Sequence, residues 1–366
     1  MSIRGDHTPH PTMADELRRR IDECRATPQW AAYVEVRDRV LAIKDLDGLR
    51  MSGAHEPSRY WTEELEGFRY LLDASPLIVD KLRHQCYHVT GIKDYDYRDH
   101  HAERARQLEE KLEALIELGG RELLVPEARA LGGFGFEIDG ELYNIDTLKF
   151  YEALIAMQRG GILAPFREGG ERRLVAEIGA GWGGFAYQFK TVCPNSTYVI
   201  VDFPELFLYS GTYLKTLFPD ANFLFYADGG PQFDELSPEL LGADFVFVPH
   251  TAVADVRPPR LDLVVNMVSF QEMTGAQVSA YVHWAADNGA PYLYSLNRDK
   301  SPYNDQLGAV PDHIAERFWP HEIPVLPVSY TQMLQGPARA ALVRRKIRRT
   351  GTPYKHIVGW LKRRTA

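Results

Sequence analysis

Residues 174–184 read Leu-Val-Ala-Glu-Ile-Gly-Ala-Gly-Trp-Gly-Gly. The apolar run Leu174–Ile178 has the pattern of a buried strand, and a helix pattern follows over Phe185–Lys190. The glycines between them let the backbone turn tightly and approach a ligand closely. Gly179, Gly181 and Gly184 fit the spacing of a dinucleotide-binding turn. Glu177 discriminates between ligands. A nicotinamide or flavin site keeps this position apolar, because helix amides hold the pyrophosphate. An acid two residues before the first glycine suits a cationic ligand instead. A second acid, Asp202, closes the β-branched run Thr197–Val201. It stands roughly 20 residues past the turn, where a carboxylate can accept both hydroxyls of a ribose. That feature alone fits an adenosyl ligand and a dinucleotide equally.

S-adenosylmethionine (SAM) carries a sulfonium and an α-ammonium and has no phosphate. The string Glu177-x-Gly179-x-Gly181-x-Gly183 resembles the first motif of class I SAM-dependent methyltransferases. The resemblance implies cofactor contacts at Glu177, Gly179, Gly181, Gly183, Gly184, Asp202, Phe203, Asn266 and Ser269. It also implies S-adenosyl-L-homocysteine (SAH) as product. An NAD-dependent dehydrogenase stays open as an alternative, with Glu177 against it.

Four further runs are similar to a family of bacterial sugar O-methyltransferases. They are Tyr143-Asn-Ile-Asp-Thr-Leu-Lys-Phe-Tyr151, Asp202-Phe-Pro-Glu205, Asn266-Met-Val-Ser-Phe-Gln-Glu-Met273 and Tyr294-Ser-Leu-Asn297. The resemblance runs from about Glu137 to Arg345 and implies a sugar or glycosylated small-molecule acceptor. Methyl transfer is an in-line displacement, so alignment of donor and acceptor is the main task. A sugar hydroxyl is a poor nucleophile and needs help losing its proton. Glu272 is the candidate base. Related small-molecule enzymes place a His-Asp pair where this chain has Gln271-Glu272. The missing histidine leaves His250, His283 and His88 as possible partners. Expected substrate contacts are Tyr151, Gln271, Asn297 and Tyr303. Lys149 and Tyr151 are expected to close over cofactor or acceptor, and Tyr95, Tyr97, His100 and His101 could line an acceptor pocket. An N- or C-methyltransferase, or a SAM-binding partner protein without catalysis, remains open. The acids and histidines show no ligand spacing, so no obligatory metal is expected.

These residues need a frame. From Glu171 onward strand patterns alternate with helix patterns. The strands are Leu174–Ile178, Thr197–Val201, Asn222–Tyr226, Phe245–Val248, Leu261–Asn266 and Pro291–Leu296. The helices are Phe185–Val192, Leu206–Leu217 and Gly275–Ala286. The alternation predicts an α/β fold, with a doubly wound, mainly parallel sheet. The family resemblance implies a Rossmann-like sheet of seven strands ending in an antiparallel pair, here assigned to Ile323–Ser329 and Ala338–Lys346. Residues 14–119 read as helices at Glu16–Cys24, Trp30–Ile43, Thr62–Leu72, Pro76–Tyr87 and Ala102–Leu118. Phe134–Asn144 reads as a hairpin turning at Asp139-Gly140. Asp146 is the expected cap of a helix reaching Arg159.

The chain therefore divides into a disordered start (1–13), a helical lid or dimerisation domain (14–165), a catalytic domain (166–349) and a basic tail (350–366). Tyr354–Arg364 is assigned a short helix. The 366 residues are 45% hydrophobic and 25% charged, ordinary for a soluble globular protein. No apolar run spans a membrane and no signal-peptide pattern is present. Cys24, Cys86 and Cys193 show no disulfide or zinc spacing, which predicts reduced thiols and a cytoplasmic location. The net charge of −8 is uneven: residues 337–366 hold ten Lys or Arg and no acid, leaving about −18 elsewhere. Nothing resembles a nucleic-acid module or a stable membrane insert. A homodimer is compatible with the helical N-terminal region.

Overall fold

The computed structural model describes residues 12–47, 57, 59–98, 101–226, 242–300, 304–325 and 353–362. Strands β1 (Phe136–Ile138) and β2 (Glu141–Tyr143) form the expected hairpin. Asp139 and Gly140 take φ of 52° and 82°, as a two-residue turn with two left-handed positions requires. The other strands are β3 (Arg173–Ile178), β4 (Ser196–Asp202), β5 (Phe223–Phe225), β6 (Phe245–Pro249), β7 (Leu263–Met267), β8 (Tyr292–Arg298), β9 (Phe318–Glu322) and β10 (Tyr354–Leu361). They form one sheet in the order β5-β6-β4-β3-β7-β8-β10-β9.

Strands β3 to β8 run parallel. The chain starts in the middle at β3, builds to one edge, then returns to β7 and builds to the other. This reversal of direction opens a crevice beyond the strand ends. β4 is buried at every position, the mark of a strand covered on both faces. The α/β class, the doubly wound sheet and the helical N-terminal region all match expectation, and the edge strand β5 falls on the expected run Asn222–Tyr226; among the described residues the sheet has eight strands, against the seven that the family resemblance implies.

The C-terminal part differs from the sequence reading. The antiparallel pair is β9 and β10, not Ile323–Ser329 and Ala338–Lys346. Residues 323–325 are not strand, and 326–329 and 338–346 lie outside the described residues. Tyr354–Leu361, assigned a helix in a solvated tail, is a strand between β8 and β9 and antiparallel to both. Its apolar residues satisfy helical spacing, but Ile357 and Val358 are buried on successive positions. A strand covered on both faces buries both sides and so loses its period of two.

Among the described N-terminal residues, helices span Met13–Arg25, Pro28–Asp47, Arg59–Phe68 and Ala102–Gly119. The expected helix Pro76–Tyr87 breaks into three single turns. Lys81 leaves the helical backbone at the first break. The helix Ile145–Arg159 is capped by Asn144 rather than Asp146. The Asn144 side chain accepts from the Asp146 and Thr147 amides at 3.0 Å each. Asp146 is thereby released to pair with Arg83. All three cysteines are buried and unbridged. No helix among the described residues is long and apolar enough to cross a membrane.

Among the described residues, β9 reaches the sheet only through β10. Ending the chain at Gly351 removes β10 and uncovers β8. We expect no cooperative melting transition by circular dichroism for that chain. A chain ended at Lys362 should melt like the full-length protein.

Candidate functional site

β3 and β4 end side by side, each carrying one acid near its end, and Asp202 lines the cleft there. Glu177 is buried and accepts a hydrogen bond from the Tyr198 hydroxyl at 2.8 Å. Asp202 is buried too. Its carboxylate accepts from the amides of Gly181 and Phe203, both at 2.8 Å. Burial pushes the Glu177 carboxyl up to about 8. The Tyr198 hydrogen bond and the Lys149 charge oppose that rise, and Asp202 adds to it. Burial likewise pushes Asp202 up to about 7, opposed by the amides of the glycine turn. Both acids are thus desolvated ahead of any ligand, a state that favours acquiring a positive charge or hydroxyl donors.

The turn between them needs its glycines. Gly179 has φ 75°. A Cβ there would sit 2.2 Å from the Ser269 hydroxyl oxygen. Gly181 has φ 58°, and its amide is the one held by Asp202. Gly183 and Gly184 open the helix Gly184–Val192.

A cleft lies over these strand ends. It is lined by Ile178, Gly179, Val201, Asp202, Phe203, His250, Met273, Gln277, Tyr281 and Trp61. The His250 ring packs on Phe203, with centroids 4.5 Å apart. An apolar, aromatic side with an acid at its edge suits a flat heterocycle carrying a ribose.

The loop after β7 is braced by a buried polar knot. The Asn266 amide donates to the Ile178 carbonyl and to the Ser269 hydroxyl, both at 2.8 Å. Asn297 donates to the Asn266 side-chain oxygen at 2.8 Å. Gln271 accepts from the Arg298 amide at 3.0 Å. Within the knot, Val268 is held at φ 62°, strained for a β-branched residue. Asn266, Ser269, Gln271 and Asn297 therefore gather behind the cleft as its scaffold. Glu272 follows, next to the cleft residue Met273. Burial pushes its carboxyl up to about 8. A hydrogen bond from Trp61 opposes the rise, and Glu64 adds to it. Glu272 lies outside the helix Gly275–Asp287, whose cap is Thr274.

The other expected residues are dispersed. His283 is exposed and pairs with Glu316 at 2.9 Å, away from the cleft residues. The Tyr151 hydroxyl donates to the Gly120 carbonyl at 2.6 Å in the core. Lys149 pairs with Asp146 at 2.7 Å while its charge still reaches Glu177. Tyr97 accepts from the Ile145 amide at 3.0 Å and packs on Phe134 and Phe136. Tyr303 and His100 lie outside the described residues. No group of three acid, His or Cys side chains among the described residues could hold a metal.

Four cleft residues escaped the sequence reading. Gln277 and Tyr281 stand four residues apart on the helix Gly275–Asp287 and so share one face, a pattern open to recognition once that helix was placed beside the crevice, and Met273 precedes the helix cap. Trp61 stands one residue before the expected helix Thr62–Leu72, and no sequence signal ties it to Phe203.

No protein-family model matches the chain, and no curated protein sequence matches it. Solved structures match at the level of fold. One is phosphoethanolamine N-methyltransferase 2 of Haemonchus contortus in complex with SAH, at 11% identity and TM-score 0.35. That match covers 60% of this chain and 58% of the nematode enzyme, under two thirds of its length. Another is the N-methyltransferase NodS of Bradyrhizobium japonicum with SAH, at 12% identity and TM-score 0.31. It covers 58% of this chain and 88% of NodS.

The raised carboxyls set a pH dependence. A cation at Glu177 and a diol at Asp202 are held best by ionised acids, which are largely protonated below pH 7 to 8. Affinity for SAH should rise from pH 6 to 8, on the order of tenfold per unit for each proton released. Calorimetry in buffers of different ionisation enthalpy should register that release. Glu177→Gln should flatten the profile. A flat wild-type profile would contradict the ionisation scheme.

Proposed function

We propose that the chain is a SAM-dependent O-methyltransferase acting on a hydroxyl of a sugar or sugar-containing small molecule. The carrying observation is the pair of buried carboxylates, Glu177 and Asp202, on either side of a positive-φ glycine turn. Two desolvated acids with no basic partner at their oxygens among the described residues would repel a pyrophosphate. The same acids fit an ammonium and a ribose diol.

In this reading Glu177 and the glycine turn hold the methionine end, Asp202 the ribose, and Phe203 with His250 flanks the adenine. When bound, SAM supplies an electrophilic methyl group. The protein aligns the acceptor and takes its proton. Glu272 is assigned that proton, because its raised carboxyl sits near the operating pH where a general base works best. The loop carrying it is fixed by the Asn266–Asn297 knot, so its position is set before substrate arrives. The sugar assignment rests on the resemblance of the Tyr143–Tyr151, Asn266–Met273 and Tyr294–Asn297 runs.

Titration with SAM and SAH tests the cofactor first. Asp202→Ala should weaken both by about 10- to 100-fold, the value of a hydrogen-bond pair to a charged group. Wild-type protein that is folded but binds neither would overturn the reading. With an acceptor identified among sugars and nucleotide-linked sugars, Glu272→Gln should lower kcat by roughly 10²- to 10⁴-fold and leave SAH affinity unchanged.

A further inference from the structure

Part of the cleft wall comes from outside the strand-and-helix alternation that builds the rest. Among the described residues, Trp61 is the one cleft residue that precedes β3. It stands in the first turn of the helix Arg59–Phe68. Its indole packs on Phe203, with ring centroids 5.5 Å apart and planes at 42°. Phe203 packs in turn on His250, at 4.5 Å and 59°. The three rings are joined in series through the residue that directly follows Asp202, and all of them line the cleft with that acid. Trp61 is only partly buried by these contacts, which leaves ring surface for a ligand.

We infer that Trp61 is a cofactor-binding residue that stacks on the adenine of SAM, which makes the N-terminal helix part of the cofactor site and a determinant of its selectivity for an aromatic base. The inference rests on the reading of this cleft as a SAM site. A ribose held by Asp202 brings its base among the residues around that acid. Trp61, Phe203, His250 and Tyr281 there are rings. An adenine has two flat faces, and each gains by lying against a ring rather than against water. Indole offers the largest such face of any side chain. Phe203 and His250 supply aromatic surface from the ends of β4 and β6. Trp61 extends it with a ring from a separate part of the chain.

The N-terminal helices are held where such stacking requires. Lys44, on the preceding helix Pro28–Asp47, pairs with Glu205 just after the Asp202-Phe203 step. Phe68, at the far end of the Trp61 helix, meets Tyr209 edge-on, with centroids 5.7 Å apart and planes at 87°. Tyr209 lies on the helix Phe207–Leu217 that follows β4. Both contacts attach N-terminal elements to the segment that also carries Asp202.

The test is fluorine NMR of the full-length protein labelled with fluorotryptophan, together with calorimetric titration. The Trp61 resonance is assigned by its loss in Trp61→Phe. It should shift with SAH and with methylthioadenosine, which keeps the adenosine and lacks the amino-acid end. Homocysteine alone should leave it in place. Trp61→Ala should weaken SAH and methylthioadenosine by the same factor, about 5- to 150-fold, the range of base–aromatic stacking. Trp61→Phe, which keeps a smaller ring, should lose less than Trp61→Ala. A Trp61 resonance unmoved at saturating SAH would overturn the inference. So would folded Trp61→Ala that binds SAH within about threefold of wild type. If the alanine variant does not fold, the resonance decides alone. Either negative result, obtained with SAH bound to the wild type, leaves the cofactor reading standing. A folded wild type that binds neither SAH nor methylthioadenosine ends the cofactor reading and the inference with it.

Discussion

Burying two carboxylates at the ends of adjacent strands is the constraint that shapes this molecule. An ionised acid out of water is costly unless it is hydrogen-bonded or paired. Glu177 meets that demand with a tyrosine hydroxyl from the neighbouring strand, and Asp202 with the amides of the turn it faces. Among the described residues, neither has a cation at hydrogen-bonding distance. The glycine turn, the parallel register of β3 with β4 and the crossing Tyr198 hold the two acids in place.

A second buried cluster carries the opposite logic. Arg83 donates to Glu127 at 2.7 Å and to Asp146 at 3.0 Å, with all three side chains out of solvent. Its guanidinium also lies 3.7 Å from the centre of the Trp182 ring, inside the glycine turn. Asn144 donates to Glu127 at 2.9 Å. Here the charges are matched internally and need no ligand. Removing the arginine would leave Glu127 buried without its cation and Asp146 with Lys149 alone, a loss of about 3–5 kcal/mol by the usual cost of breaking a buried pair. The cluster ties the N-terminal region to the underside of the turn whose other side faces the cleft. One side of the turn is braced by this cluster, and the other carries the two hydrogen-bonded acids.

Much of this was legible in the sequence, and the misses have physical causes. The strands from β3 to β8 announced themselves as β-branched runs bounded by turns. The hairpin was marked by Asp139-Gly140, and Glu177 and Asp202 by their spacing around the glycines. β10 was misread because a strand buried on both faces loses its alternation, and its basic neighbours imitate a solvated tail. The Asn144 cap was passed over for Asp146, which stands two residues on and looks equally able. Tyr151 looked functional because it shares a run with Lys149, yet its hydroxyl serves a helix end at Gly120. Trp61 was invisible because its contact with Phe203 is long-range, and no local period encodes it.

The place of β10 also governs the order in which the molecule can assemble. β9 is made before β10 but has no direct seat in the sheet, since β10 separates it from β8. During synthesis β8 must therefore wait with one backbone edge unpaired, and β9 must wait with no partner at all. Exposed strand edges of this kind invite pairing between chains. β9 carries a proline at its centre, Pro320, which removes one donor from its ladder. Such a residue lowers the hazard of an early strand finding the wrong partner while the right one is still being made.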